Sequence, residues 1–481
     1  NQTLEDYALR FTAKSARRWS AARVSHTALG AISFLAMEAI GGSITLHYGF
    51  DNAVAAILAV SLVIFLTAIP ISYYAARYGV DIDLLTRGAG FGYIGSTITS
   101  LIYASFTFIF FAIEAAIMAM ALEMLFAIPL VLGYLICAVV IIPLVTHGIT
   151  TISRFQVWTQ PLFILLQLAP FVFIIYADAS SITDWTQFQG VGLPADNGFD
   201  LLLFGAAAAV VFSLIAQIGE QVDFLRFIPE PTNAPERRRW WVAVMAGGPG
   251  WIVIGMVKIL AGSFLAVLAL NQGISATEAA DPTQMYLVAF NYITHSPELS
   301  LAMAGIFVIL CQIKINVTNA YAGSIAWSNF FSRLTHSHPG RVVWLVFNVA
   351  IALLVMELGV YRALEETLGF YGIVAIAWVG ALVADLVINK PLGLSPAHIE
   401  FKRAHLYDIN PVGVGAMITA SVVGITCHTG VLGDYAQALS HFIALAVALV
   451  TAPLIAWKTG GRFYTARPFV PLATDHQLVG C

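Results

Sequence analysis

Apolar runs of roughly 20 residues, the length of a helix crossing a bilayer, recur from one end of this chain to the other. None alternates with a period of two, so spanning helices are expected and a β-barrel is not. With 59% of 481 residues hydrophobic and only 10% charged, no water-soluble domain could cover such a core with polar surface. The chain reads as an all-α integral membrane protein. Twelve spans are expected, at 24–46, 52–76, 97–124, 127–147, 155–177, 200–224, 241–270, 297–331, 341–357, 367–388, 411–430 and 436–457. They form one membrane-spanning domain over 24–457, between an N-terminal segment at 1–23 and a tail at 458–481.

Two of the runs, LGAISFLAMEAIGGSITL and SFTFIFFAIEAAIMAMAL, contain the carboxylates Glu38 and Glu114. A carboxylate at that depth must be protonated, paired or solvated in a cavity, and by default it marks a pathway or a ligand site.

Basic residues follow every even-numbered span, for example Arg77 and Arg87 after the second and Arg226 and Arg237 to Arg239 after the sixth. The opposite loops, such as LNQGISATEAADPTQ, contain no Lys or Arg. The positive-inside rule therefore puts both termini in the cytoplasm, and a cell inner membrane is the expected location. Lys258, Lys314 and Arg362 lie off this pattern; Lys258 and Arg362 read as snorkelling from span ends, whereas Lys314 falls mid-span. Cys137, Cys311, Cys427 and Cys481 are scattered without a CxxC pair, so neither a disulfide framework nor a zinc site is indicated. His336 and His338, two apart in a polar loop, are too few for a metal site. Lipid and a small molecule are the expected partners, and nucleic acid is not.

Transporters commonly bind solute where helices are interrupted near the midplane. Span one carries Gly30 and the pair Gly41-Gly42 around Glu38, and span six carries Ser213, Gln217 and Gly219 where a break would fall. These glycines serve equally well to let neighbouring helices pack closely. Span six comes five after span one, the offset of a five-plus-five inverted repeat with two added C-terminal helices, as in the LeuT-like architecture.

The loop RYGVDIDLLTRGAGFGYIGS, the run Asp223-Phe224-Leu225-Arg226-Phe227 and the span-eight stretch NVTNAYAGSIAWSNFFSRL resemble, in that order, motifs of the nucleobase:cation symporter 1 family of cytosine, purine, allantoin and hydantoin permeases. The loop also holds a formal GxGxxG at Gly90 to Gly95, but no strand precedes it, so a turn and not a dinucleotide site is expected. Asp223 and Arg226, three apart and near the cytoplasmic face, read as gating residues that pair with each other or with Arg87.

The resemblance implies a flat heterocycle held between aromatic rings from spans three and six, its edge read by amides on spans one, three and eight. This sequence departs from that pattern. Phe110 stands at the Trp position of span three and Glu114 at a Gln position one turn on; Ser213-Leu214 replaces a Gly-Trp pair; Glu38 lies near a family Gln. Gln217, Asn316 and Asn319 remain as polar lining, with Thr318 between them. Carboxylates in place of amides accept only, which favours a donor-rich or cationic solute: an aminopurine, guanidino or ureido compound, or an amine. The competing expectation is that one or both glutamates are protonated core residues or are neutralised by Lys314. The sodium ligands implied by the family fail as well, since Lys314 and Ile315 stand where hydroxyls are expected. Lys314 would supply that positive charge and pair with Glu38 across spans one and eight.

No HExxH, Ser/His dyad or paired aspartates occur inside the spans, which argues against an enzyme. The leading expectation is a secondary transporter working by alternating access, without a sodium cofactor and either proton-coupled through Glu38 or Glu114 or uncoupled. The alternative is a sensor that binds such a solute and signals to a domain following Cys481.

Overall fold

The computed structural model describes residues 11–194, 198–335 and 339–466. His336, His338, Cys481 and most of the 458–481 tail lie outside the described residues, as does the start of the 1–23 segment. Among the described residues the chain is helical, with an isolated bridge between Phe11 and Val80.

The first span begins as α1 (Ala21–Gly30), capped by the Ser20 hydroxyl, and resumes as α2 (Ala36–Tyr78). The interruption at residues 31–35 follows Gly30, one of the glycines that pointed to it, and comes before Glu38, while Gly41-Gly42 lie within α2. α2 is itself two helices joined at Gly49, whose φ of +80° suits glycine. Phe188 O accepts from Phe50 N at 2.8 Å and Leu46 O from Val191 N at 2.7 Å, pinning that corner. α3 (Ile82–Thr86) and a wide turn at Arg87–Phe91 follow. The formal GxGxxG is therefore a buried turn packed on the 399–410 segment: a Cβ on Gly92 would lie 2.8 Å from Tyr407 O.

Next come α4 (Gly95–Phe126), α5 (Leu130–Thr146), α6 (Ile149–Ala177) and the short α7 (Ser180–Thr186). Asp200 caps the start of α8 (Leu201–Phe212), accepting from Leu202 N and Leu203 N at 2.7 and 3.2 Å. A tight 3-10 turn at Ser213–Gln217 leads into α9 (Ile218–Leu225). The chain continues through α10 (Ala234–Gly247), α11 (Trp251–Asn271), α12 (Ala276–Ala279), α13 (Pro282–Asn291), α14 (Pro297–Thr335) and α15 (Arg341–Glu357). It ends in α16 (Leu364–Ala384), α17 (Pro411–His428), α18 (Asp434–Ala438) and α19 (Ser440–Thr459).

Nine segments among the described residues are long and apolar enough to cross a membrane, and Leu130–Thr146 is a shorter apolar helix. Outward-facing leucines and valines on α5 and α6 are what lipid contact requires, whereas α16 is buried along most of its length. The tightest crossing joins α2 to α11. A Cβ on Gly41 would lie 1.8 Å from Ile259 O, and one on Gly262 would lie 2.1 Å from Glu38 O. Gly41 is thus a packing residue. That approach brings Lys258, one turn before Gly262, to the level of Glu38.

Candidate functional site

The interruption between α1 and α2 leaves the first amides of α2 without helical partners, and a helix N-terminus of this kind attracts an anion. Glu114 of α4 supplies it from within the chain: both its carboxylate oxygens accept from Ala36 N at 3.3 Å. Gln312 of α14 locks the arrangement. Its Nε2 donates to Glu114 Oε2 at 2.5 Å and to Glu114 O at 3.0 Å, while its Oε1 accepts from Leu35 N at 3.3 Å.

Glu38 is completely buried and is met by three donors on one oxygen. Lys258 Nζ donates at 2.6 Å, Tyr286 Oη at 3.0 Å and Gln167 Nε2 at 3.4 Å, all to Oε1. Oε2 has no hydrogen-bond partner. Lys258 is therefore not a snorkelling residue but the counter-charge of Glu38, itself buried to 2% exposure and also bonded to Gln167 Oε1 at 3.1 Å. The expected Lys314–Glu38 pair does not form, because Lys314 points to α6. Its Nζ donates to Gln156 O at 3.1 Å and Thr159 Oγ1 at 2.9 Å, and Gln156 Nε2 returns a bond to Lys314 O at 2.6 Å. Gln156 lies against the end of α1, where a Cβ on Gly30 would come 2.8 Å from its own Cβ. The two ammonium groups face one ring, with Lys258 Nζ 5.6 Å and Lys314 Nζ 5.9 Å from the Phe163 centroid.

The remaining expected lining divides. Phe110 meets Phe34, from the interruption of span one, edge-on at 6.3 Å, and Phe106 at 4.6 Å. This aromatic wall stands one turn from Glu114. Ser213 turns away and donates to Val210 O at 2.7 Å. Gln217 Nε2 donates at 2.9 Å to Glu220, a third buried carboxylate whose Oε1 has no hydrogen-bond partner. Asn319 Nδ2 donates to Asn316 Oδ1 at 3.2 Å, leaving Asn316 Nδ2 and Asn319 Oδ1 without partners. Lining of the site by Gln156, Gln167, Glu220, Tyr286 and Gln312 was not anticipated. Gln156 and Gln167 are eleven apart, three helical turns, on an otherwise apolar span, and that common face was the available signal.

At the arginine-rich end the helices are tied together. Tyr103 Oη donates to Asp223 Oδ2 at 3.1 Å, and Arg226 donates to Asp223 O at 3.0 Å and to Tyr321 Oη at 3.2 Å. Arg87 donates to Phe401 O at 3.1 Å and stands 3.8 Å from Asp83, which also binds Arg333 and Ser100. Three guanidinium groups, of Arg87, Arg333 and Arg403, surround the Tyr93 ring at 4.9, 5.7 and 4.6 Å. Arg87 thus pairs with Asp83, and Asp223 and Arg226 meet through the Asp223 backbone carbonyl.

The opposite end is open. A cavity of about 750 Å³ is lined by Ala39, Ser43 and His47 of α2, by Thr277 and Ala280, and by Tyr361 to Glu366. Glu365 bridges to α2 there, accepting from Ser43, from Tyr48 Oη at 2.9 Å and meeting His47 Nδ1 at 2.7 Å. Nearby Asp281 caps α13, the helix that delivers Tyr286 to Glu38, by accepting from Thr283 N at 2.8 Å. Burial lifts the Asp281 carboxyl to about 6 against those hydrogen bonds.

A sequence profile of permeases for cytosine/purines, uracil, thiamine and allantoin matches residues 12–450. Mhp1, a nucleobase-cation-symport-1 family transporter, in a closed conformation with bromovinylhydantoin bound, superposes with a TM-score of 0.69 at 15% identity, covering 95% of this chain and 96% of its own. Inward-facing Mhp1 gives 0.63 at 15% identity, with 93% and 95% covered. A Na+-coupled sialic acid symporter, in a substrate-bound outward-open state, gives 0.59 at 15% identity, with 94% and 93% covered. No curated protein matches the sequence. The fold is LeuT-like. Matched over nearly its whole length, the chain belongs to the family of permeases for cytosine/purines, uracil, thiamine and allantoin, and is a multi-pass membrane transporter and not an enzyme.

Proposed function

We propose that this chain is a secondary transporter of a small nitrogen-rich solute, a nucleobase, ureide, guanidino compound or amine, that works by alternating access without sodium and is driven by protons. The observation that carries this reading is the pair of internal cations, Lys258 on Glu38 and Lys314 on Gln156 O and Thr159 Oγ1. Sodium coupling needs hard oxygen ligands that are free to close on an ion. Here an ammonium that cannot leave already engages two such oxygens beside the end of α1, so a resident sodium ion does not fit.

The solute class is supported by the family's range of cytosine, purines, uracil, thiamine and allantoin and by the bromovinylhydantoin bound to Mhp1, all nitrogen-containing compounds. Phe110 and Phe34 offer ring faces or edges for a flat solute, and Glu220, Gln217, Asn316 and Asn319 offer the polar contacts. Because Glu38 and Glu114 are engaged within the chain, Glu220 is the carboxylate better suited to a donor-rich edge. Glu38 and Glu114 keep their proposed part as proton carriers. Arg87, Asp223 and Arg226 act as gating residues within the closed arginine-rich end, and the 750 Å³ cavity is the entrance from the other side.

The twelve-span count, the five-plus-five repeat with two added helices and cytoplasmic termini in a cell inner membrane belong to the same reading. They are supported by the interrupted first span, the tight turn in the sixth and the basic exits. The sensor alternative draws no support from a family of permeases.

A thermal-shift screen of the purified chain over cytosine, adenine, guanine, allantoin, thiamine, guanidine and simple amines, with and without sodium, tests the reading. Stabilisation by donor-rich members, unchanged by sodium, is expected. Stabilisation that requires sodium would refute the ion assignment.

A further inference from the structure

Glu220 has no structural task that a glutamine could not do. It accepts one hydrogen bond, from Gln217, and keeps its other oxygen buried without a partner. A carboxylate held this way at membrane depth is costly, and such residues mark ion or proton paths. Its position is informative. Tyr103, Thr107, Phe110 and Glu114 follow one another at three- and four-residue steps along one face of α4, a stripe rising about 16 Å. Tyr103, at one end of the stripe, holds Asp223 by its hydroxyl, and its ring packs on Gly219, where a Cβ would come 2.4 Å from it. Glu220 lies one residue beyond that contact and one helical turn from Asp223, on the side towards Glu114.

The charges that act on Glu220 are those of Asp223 on its own helix and Glu114 on α4. Asp223 is acted on in turn by Arg226, Asp81 and Asp83 of the arginine-rich network, and accepts from Tyr103. Glu114 is acted on by Glu38 and Lys258. Glu220 and Asp223 stand one turn apart on α9, and Tyr103, bonded to Asp223, shares its face of α4 with Glu114, so acidic side chains follow one another from the interruption of span one to the closed end.

We propose that Glu220 relays the transported proton between Glu114, at the N-terminus of α2, and Asp223, at the edge of the arginine-rich network. This rests on the proton-driven reading above. Each step moves one proton and no electrons: Glu114, the anion on Ala36 N at rest, takes up a proton from the open side and passes it to the Glu220 carboxylate through water or the solute between them, returning to the anion, and Glu220 then gives its proton to Asp223. The solute, seated between Phe110 and the tight turn of span six, completes or interrupts the first step, which is how binding and proton movement become coupled. Asp223, once protonated, weakens its hold on Tyr103 and so loosens the closed end.

The test uses the full chain in proteoliposomes with an entrapped pH dye and adenine, cytosine, allantoin and guanidine as separate probes. Wild type is expected to acidify the lumen during uptake. Because Glu220 also faces the solute, Glu220→Gln is read as a ratio: proton-driven accumulation should fall about a hundredfold further than solute counterflow, which needs no net proton movement, the contribution of a positioned proton-transfer group. Glu220→Asp should restore part of it. Accumulation by wild type without proton movement would refute the proton-driven reading. Proton movement that persists unchanged in Glu220→Gln would refute the relay alone. Infrared carboxyl bands need no solute: a titrating band in wild type that Glu220→Gln removes is expected, and no difference between the two overturns the relay whatever is carried.

Discussion

Lys258 and Glu38 form an ion pair with both partners buried, so removing either one leaves an uncompensated charge in the core. Lys258→Met is expected to cost about 3–5 kcal/mol, and adding Glu38→Gln should recover most of it. Thermal unfolding of the two single variants and the double variant in detergent measures this; additive losses would mean that the pair does not exist. Glu38 and Glu114 were legible as buried because each interrupts an apolar run. Their partners were not. Lys258 lies 220 residues from Glu38, and nothing in a sequence gives the relative height of two helices that far apart. Lys314 appeared the natural partner because it sits mid-span, yet its side chain points to α6. Glu220 escaped notice in IGEQVDFLRF, a stretch polar enough to resemble the exit of a span.

Helix α2 and helix α11 are held at backbone contact by Gly41 and Gly262. Gly262→Ala drives a methyl into Glu38 O and is expected to destabilise by about 1–3 kcal/mol. It should also weaken the Lys258 pair, so combining it with Lys258→Met should cost less than the sum of the two. A matching sum would place Gly262 outside the Glu38 site. Helix α13 carries a pH dependence through its cap. The Asp281 carboxyl is raised to about 6, so its protonated form is favoured in the folded state. That contribution is complete below about pH 4 and is lost as pH rises through 6. Asp281→Asn keeps the acceptor for Thr283 N and should raise the midpoint at pH 8 by about 2–4 °C while changing little at pH 4. Equal shifts at both pH values would contradict this. The interruption of span one was readable in kind and only partly in place. Gly30 and Gly41-Gly42 both drew attention, and the break falls at residues 31–35 next to Gly30, where Glu114 and Gln312 replace the missing helical partners.

The helices close one end with aspartate, arginine and tyrosine contacts and leave a 750 Å³ cavity at the other, an arrangement suited to receiving solute from one side at a time. The LeuT-like architecture was legible in the recurring apolar runs and in three motifs in order, because hydrophobic length and loop charge act locally. What drives transport depends on which charges meet, and those meetings join helices far apart in sequence. Lys314 and Lys258 are fixed to the chain and bonded within it, and in the reading proposed above the buried carboxylates are the groups that exchange protons. Uptake of labelled adenine, cytosine and allantoin into proteoliposomes, under an imposed sodium gradient and, separately, an imposed proton gradient, measures this directly. Accumulation driven by the proton gradient and indifferent to sodium is predicted; accumulation driven by sodium alone would contradict it.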